Sequence, residues 1–242
     1  MQPDSLINAK QDLTGTPPKN GGWIPPLALL GGLAVAFSQV MIFAYAPEER
    51  VMGMIQKVFY MHMPLAWWAL FSFFLVFVCG ILYLIKRSPR WDILAEASAE
   101  IGLLMAGLAL ISGSIWARVS WNTWWTWDPR LSTTLIMWFI YAGYLIVRKL
   151  DFSFERRAVV SAVIGILAFI DVPLVFFSTR LWPQTMHPTV VGRSGGLAPE
   201  MKVTLLCCLA GMGVFWLALL AWRNRLGQMQ HRLDKLGRAS GR

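Results

Sequence analysis

Two histidines and one tryptophan-rich run are the residues of this chain whose types and spacing could do chemistry. His62 lies in Tyr60-Met61-His62-Met63-Pro64 and His187 in Gln184-Thr185-Met186-His187-Pro188. A neutral imidazole offers one nitrogen lone pair to a metal, and two of them suit an iron with two open axial positions. Between them runs Trp121-Asn122-Thr123-Trp124-Trp125-Thr126-Trp127-Asp128-Pro129-Arg130, with four Trp in seven residues. If helical, this run places Trp121, Trp124 and Trp125 on one face, a flat apolar shelf with indole N–H groups at its rim, suited to a large planar ligand. The competing reading is an interfacial anchor, since Trp gathers at membrane–water boundaries. Asp128-Pro129 reads first as a helix start, because Asp is a favoured N-cap and Pro a favoured first helical residue.

The elements that must hold these groups follow from composition. Of 242 residues, 56% are hydrophobic and 14% charged, where soluble chains carry about 25% charge. A water-soluble globule is excluded. Charge-free tracts run over 24–46, 58–85, 101–117, 131–147 and 203–222, and a sixth over 158–179 is broken only by Asp171. A bilayer core about 30 Å thick needs about 20 apolar helical residues. The chain therefore reads as an all-α integral membrane protein, one membrane domain over 1–242, with spans at about 24–46, 64–85, 95–117, 131–147, 158–179 and 203–222 and tails at 1–22 and 223–242. Ala44-Tyr45-Ala46 has the look of a cleavage site, but the 23 residues of the first tract exceed the roughly 7 to 15 of a signal-peptide core, so it is expected to stay as a helix. Cys79, Cys207 and Cys208 sit in apolar tracts, form no C-x-x-C pair, and read as small core residues.

Orientation follows from the cations. Fifteen Lys and Arg fall in the two tails and the loops around 86–90 and 148–157, against seven in the alternate loops. Excess positive charge marks the cytoplasmic side, so both termini are expected to be cytoplasmic and the loops near 47–63, 118–130 and 180–202 to face outward. Most of the net charge of +9 is thus topological. The basic C-terminal tail reads as a retention and anionic-lipid anchor, with no folded basic face for nucleic acid. His231 lies in that tail and reads as a solvated side chain. No G-x-x-x-x-G-K-[ST] is present, so any ATP-driven step needs another subunit. The glycines of the third and sixth spans, Gly113 among them, read as helix-packing residues.

Topology brings the candidate groups together. Four spans separate His62 from His187, which returns both to the outer face, where eight of the 13 Trp also lie against three at the inner edge. An aromatic belt alone should populate both edges. Two imidazoles beside a slab of indoles fit haem, the common planar apolar cofactor with two axial positions. Arg118, Arg130, Arg180 and Arg193 are the outer cations that could meet its propionates, and which of them does so stays open. Zinc is a poorer fit without a third ligand. A cage for quaternary ammonium would use the Trp alone and leave both His unexplained. Asp171, inside the fifth span, reads either as a functional intramembrane carboxylate or, next to Pro173, as a local partner for backbone freed by the proline.

The segment W-N-T-W-W-T-W-D-P-R-L-S-T-T over 121–134 resembles the tryptophan-rich "WWD" signature of membrane haem-handling proteins. Six spans, one outer His before the second and one after the fifth narrow the resemblance to the haem exporter C subunit of the multi-component cytochrome c maturation system, over nearly the whole chain from Trp23 to Trp222. The resemblance implies His62 and His187 as axial ligands, with Trp121, Trp124, Trp125, Trp127 and Asp128 as the haem platform; Arg130 is added as a cofactor-binding candidate from its place at the outer edge. It further implies haem b as transported cargo rather than a catalytic cofactor, and no enzyme activity of the chain's own. The implied setting is the bacterial inner membrane, in an ABC-type complex with an ATP-binding subunit, a second membrane subunit and a small single-span subunit. The cargo would pass on the periplasmic face to a membrane-anchored haem chaperone. Two departures stand out: Asn122 where the family usually has Gly, which is expected to alter the turn before Trp124, and Pro188 where Gln is frequent. Two other classes remain open, a secondary transporter for an organic cation and a structural membrane scaffold.

Overall fold

In hydrocarbon a backbone N–H or C=O finds no water, so an apolar stretch must satisfy its polar backbone internally, as a helix. A computed structural model describes residues 21–182 and 197–239. Among them six helical stretches are long and apolar enough to cross a membrane, and no strand is formed. Helix α1 covers Ile24–Val40 and runs on into a π-helical turn at Met41–Tyr45. Helix α2 is Phe59–Lys86 and α3 is Pro89–Trp121. Helix α4, Pro129–Val147, starts on the Asp128 cap, and the fifth span consists of α5, Phe154–Ala168, and α6, Asp171–Leu181. Helix α7 is Pro199–Ala239. The segment read from sequence as a C-terminal tail thus continues as helix, because charge ends a membrane span without ending a helix. The Lys/Arg-rich end of the bundle is called inner below, and the opposite end outer.

Sequence led to largely continuous spans, and the fifth departs from this. Ile170 N donates to Leu167 O at 3.1 Å and Val172 N to Phe169 O at 3.1 Å, a tight turn that divides α5 from α6. The Phe169 carbonyl, which Pro173 could not serve for lack of an N–H, is thereby taken. Asp171 does not fill that role, and its Oδ2 is buried without a partner among the described residues.

Helix α2 is the hub, packed most extensively on α3 and also on α5 and α7, while α1 lies on α7. Small residues set these approaches. A Cβ at Gly102 would come within 2.8 Å of the Ser72 and Phe73 side chains, and one at Gly31 within 2.7 Å of the Phe215 backbone. In the space between, Phe73 stacks on Tyr141 with centroids 3.7 Å apart, and Trp68 stacks on Trp216 at 4.8 Å. The Trp216 indole donates to Ser72 Oγ at 2.8 Å, and Ser72 donates in turn to Trp68 O at 2.7 Å.

The inner end is closed by charge. Asp92, Glu96 and Glu100 repeat every four residues on α3 and so share one face. Arg148, at the end of α4, donates to both Asp92 oxygens at 2.6 and 2.8 Å and to Glu96 at 3.2 Å. Arg223 of α7 pairs with both oxygens of Glu100. Arg148 and Asp92 are each only 4% exposed, so their charges depend on one another. Removing one partner of such a pair strands a buried charge, which costs about 3–5 kcal/mol. Asp92→Ala is expected to lower the thermal unfolding midpoint sharply in detergent, and the double change Asp92→Leu with Arg148→Met to recover most of the loss.

Candidate functional site

The outer end gathers the start of α2, the end of α3, the start of α4 and the end of α6. His62 is the fourth residue of α2, and its imidazole packs flush on the α3 backbone at Gly113, where a Cβ would lie 3.1 Å from His62 Cε1. Trp116, three residues further along α3, meets the imidazole edge-on with centroids 6.0 Å apart, and Phe59 meets the same indole at 6.0 Å.

One ring nitrogen of His62 meets a neighbouring hydroxyl. His62 Nδ1 lies 3.1 Å from Ser112 Oγ, and Ser112 Oγ lies 3.1 Å from Ala109 O. With the hydroxyl hydrogen on Ala109 O, Nδ1 carries the ring hydrogen and Nε2 the lone pair; with it on Nδ1, the tautomer is the reverse. A ring N–H held by a neighbouring acceptor is the arrangement that orients a metal-binding imidazole and raises its basicity. Sequence reading missed this frame. Ser112 was not singled out, and Gly113 was taken as generic packing, although Ser-Gly one turn before an outer-edge Trp was the available signal.

The tryptophan run departs from the helical shelf. Helix α3 ends at Trp121, and residues 122–128 form an irregular loop, so Trp121, Trp124 and Trp125 do not share a helical face. Asn122 ends the helix at φ 56°, the left-handed region that Gly or Asn enters most readily. Asn122 thus takes a backbone conformation that Gly would also take freely. Arg118 Nη1 holds it from the previous turn, donating to Asn122 O at 2.8 Å and Asn122 Oδ1 at 2.7 Å, and its guanidinium lies over the Trp124 ring at 5.9 Å. Thr123 Oγ1 donates to Trp125 O at 2.9 Å, and Trp125 meets Trp127 edge-on at 5.8 Å. Trp124 and Trp127 are 60% and 78% exposed, large for indoles, and project from the outer end.

Asp128 caps α4, accepting from Arg130 N at 2.8 Å and Leu131 N at 3.2 Å, as its pairing with Pro129 led one to expect. The Arg130 guanidinium reaches across to α6, donating from Nε to Ser178 Oγ at 3.2 Å and from Nη2 to Thr179 Oγ1 and Phe176 O at 3.4 Å. All three acceptors are neutral. Arg180 is exposed at the end of α6. His187 and Arg193 lie outside the described residues.

The buried polar atoms at this end without a hydrogen-bond partner among the described residues include Trp116 Nε1, Ser120 Oγ, Trp125 Nε1 and Thr126 Oγ1, with Gln56 Oε1 and Tyr60 OH beside them. Each such group left unmet costs about 1–3 kcal/mol. The outer end therefore offers one oriented imidazole, exposed indole faces, guanidinium groups and a set of donors still to be satisfied. A planar apolar molecule with acceptor-bearing substituents fits that donor set.

Comparison with known proteins gives a consistent picture. The family model described as "Heme exporter protein C" matches residues 18–238. The chain is 29% identical over 224 residues to "Heme exporter protein C" of Paracoccus denitrificans, covering 90% of this chain and 92% of the relative. It is 31% identical over 216 residues to the protein of the same description from Rhodobacter capsulatus, covering 87% and 86%. A "Putative cytochrome c biosynthesis ccmC-like mitochondrial protein" of Marchantia polymorpha is 30% identical over 150 residues, 62% of this chain.

Two substitutions test the local geometry directly. Ser112→Ala removes the hydrogen-bond partner of His62 Nδ1, and the imidazole 15N resonances are expected to move from a single tautomer to a mixture of both, with the fold unchanged. Asn122→Gly is expected to be nearly neutral in thermal unfolding, whereas Asn122→Val, forced into the left-handed region, is expected to lose about 1–2 kcal/mol.

Proposed function

The chain belongs to the haem exporter protein C family, and from that premise we propose that it binds haem at the periplasmic face of the bacterial inner membrane and hands it to a membrane-anchored haem chaperone during cytochrome c maturation. The observation that carries this reading is the His62 frame: Nδ1 lies 3.1 Å from Ser112 Oγ and the ring packs on Gly113 and edge-on to Trp116, which supports Nε2 as the ligating nitrogen. His187 is the proposed second axial ligand.

The cargo supplies an iron with two axial positions, an apolar ring and two carboxylates. His62 orients the iron. The indoles of Trp121, Trp124, Trp125 and Trp127 cover apolar ring surface, and Trp124 and Trp127 are exposed enough to do so. The Trp116 and Trp125 N–H groups and the Ser120 and Thr126 hydroxyls, all without partners among the described residues, can meet acceptors of the ligand or its water. Arg130, whose described acceptors are all neutral, and Arg118, which already holds Asn122, are the described guanidinium groups placed for carboxylates. Asp128 acts in the platform by starting α4, which sets the direction of Arg130.

Transfer requires a grip that is firm and reversible. A ligand held by axial imidazoles at the rim of the bundle can be released by displacing one of them, and a chaperone that binds through its own His would do so. The chain carries no nucleotide-binding loop and, in this reading, no catalysis of its own. An ATP-binding subunit, a second membrane subunit and a small single-span subunit complete the proposed complex.

A secondary transporter for an organic cation is favoured by one observation, the break in the fifth span beside Asp171. Such proteins bind near the midplane at broken helices, whereas the exposed tryptophans lie at the outer rim. Haem supplied to the purified protein is expected to give a Soret band. His62→Ala is expected to replace the spectrum of paired imidazoles by that of a single axial imidazole, and Ser112→Ala to weaken haem affinity by about 10–100-fold, as loss of a supporting hydrogen bond does. An unchanged spectrum in His62→Ala, or cation uptake that persists without either outer His, would replace the proposal with the transporter reading.

A further inference from the structure

At the opposite end of the bundle from His62, a cavity of about 310 Å³ opens between the start of α1, the inner half of α3 and the stretch of α7 on either side of Trp222. Its floor is aliphatic, with Leu94 and Leu220, and its rim carries Trp23, Asn224, Arg225 and Gln228. Two of the rim groups are unspent. Asn224 Oδ1 is buried and has no hydrogen-bond partner among the described residues. The Arg225 guanidinium lies across the backbone of Gly21, where a Cβ would fall 0.8 Å from Nη1, so it occupies space that only a glycine leaves. No hydrogen bond or ion pair to a described residue holds it there.

A fixed cation beside an unmet acceptor, above an apolar floor, defines the complement of an amphiphile. The head must bring a negative charge to Arg225 and a hydrogen-bond donor to Asn224, and the tail must be aliphatic. Exposed Trp23 and Trp222, the residue type that marks membrane–water interfaces, place the rim at head-group depth. Basic pockets between membrane helices are suited to phospholipid heads. The lining holds no His, Cys or Met, which separates this cavity from any iron-binding role. We infer that this cavity binds a glycerophospholipid whose head carries a donor, an ammonium or a hydroxyl, next to the phosphate. Phosphatidylethanolamine and phosphatidylglycerol both meet that description, and phosphatidylcholine, with no donor, does not. The site would tie α1 to α3 and α7 through lipid, where α1 otherwise leans on α7.

The test is lipid retention on the full-length protein, read by native mass spectrometry with each of the three phospholipids added in turn. The wild type is expected to hold one phosphatidylethanolamine or phosphatidylglycerol. Phosphatidylcholine should be retained at least about tenfold less, the worth of one good hydrogen bond. Arg225→Gln should lower retention of both favoured lipids by at least about tenfold. Asn224→Leu should erase the preference over phosphatidylcholine, and Arg232→Gln, an exposed cation further along α7, should change nothing. Equal retention of all three lipids by the wild type would overturn the inference without any variant having to fold. So would unchanged retention by Arg225→Gln, displacement by millimolar inorganic phosphate alone, or an empty full-length chain, which would leave the cavity to the chain's own first residues.

Discussion

Hydrocarbon has no partner for a polar group, and that constraint arranges everything else in this molecule. Inside the bundle, hydroxyls turn back onto their own helices: Ser38 to Ala34 O, Ser98 to Leu94 O and Thr204 to Glu200 O. Groups that cannot be satisfied locally are driven to the two ends. At the inner end Asp92, Glu96 and Glu100 are met by Arg148 and Arg223, a closed set in which every charge has a counter-charge. At the outer end the accounting is left open, with indole N–H groups and hydroxyls buried and unmet among the described residues. Unmet buried atoms occur at the inner end too, Trp91 Nε1 and Asn224 Oδ1 among them.

The same constraint explains what the sequence made legible. Six helices followed from runs of apolar residues between charges, since no other structure satisfies such a run in lipid. Asp128 as the α4 cap followed from an Asp-Pro pair whose chemistry is local. The helical tryptophan shelf did not materialise, because Asn122 takes a left-handed conformation and stops α3 at Trp121. That was hard to foresee, since Asn tolerates both helix and turn. The break at Asp171 was likewise hidden, because a proline near a span's middle can bend a helix or end it. What lay beyond reach was pairing across helices. Nothing in the spacing of residue 62 and residues 112–116 states that they meet; the contact exists because Gly102 and Gly113 let α2 and α3 close on each other.

In the proposed reading these features serve one purpose. A carrier must hold its cargo well enough to keep it from the bilayer and loosely enough to surrender it. Rim placement, exposed indoles at Trp124 and Trp127, and an imidazole aimed by a single serine hydroxyl suit that compromise better than a closed pocket would. Stability comes from the inner end and the stacked core around Phe73 and Tyr141, which leaves the outer end free to exchange a ligand without unsettling the fold.

The central claim is that His62 Nε2 is an axial ligand to haem iron. Electron paramagnetic resonance of the protein loaded with ferric haem tests it most directly. The account predicts a low-spin signal of paired imidazoles in the wild type that changes on His62→Met to the signature of one imidazole and one thioether. A high-spin signal in the wild type, or a low-spin signal that His62→Met leaves untouched, would contradict it.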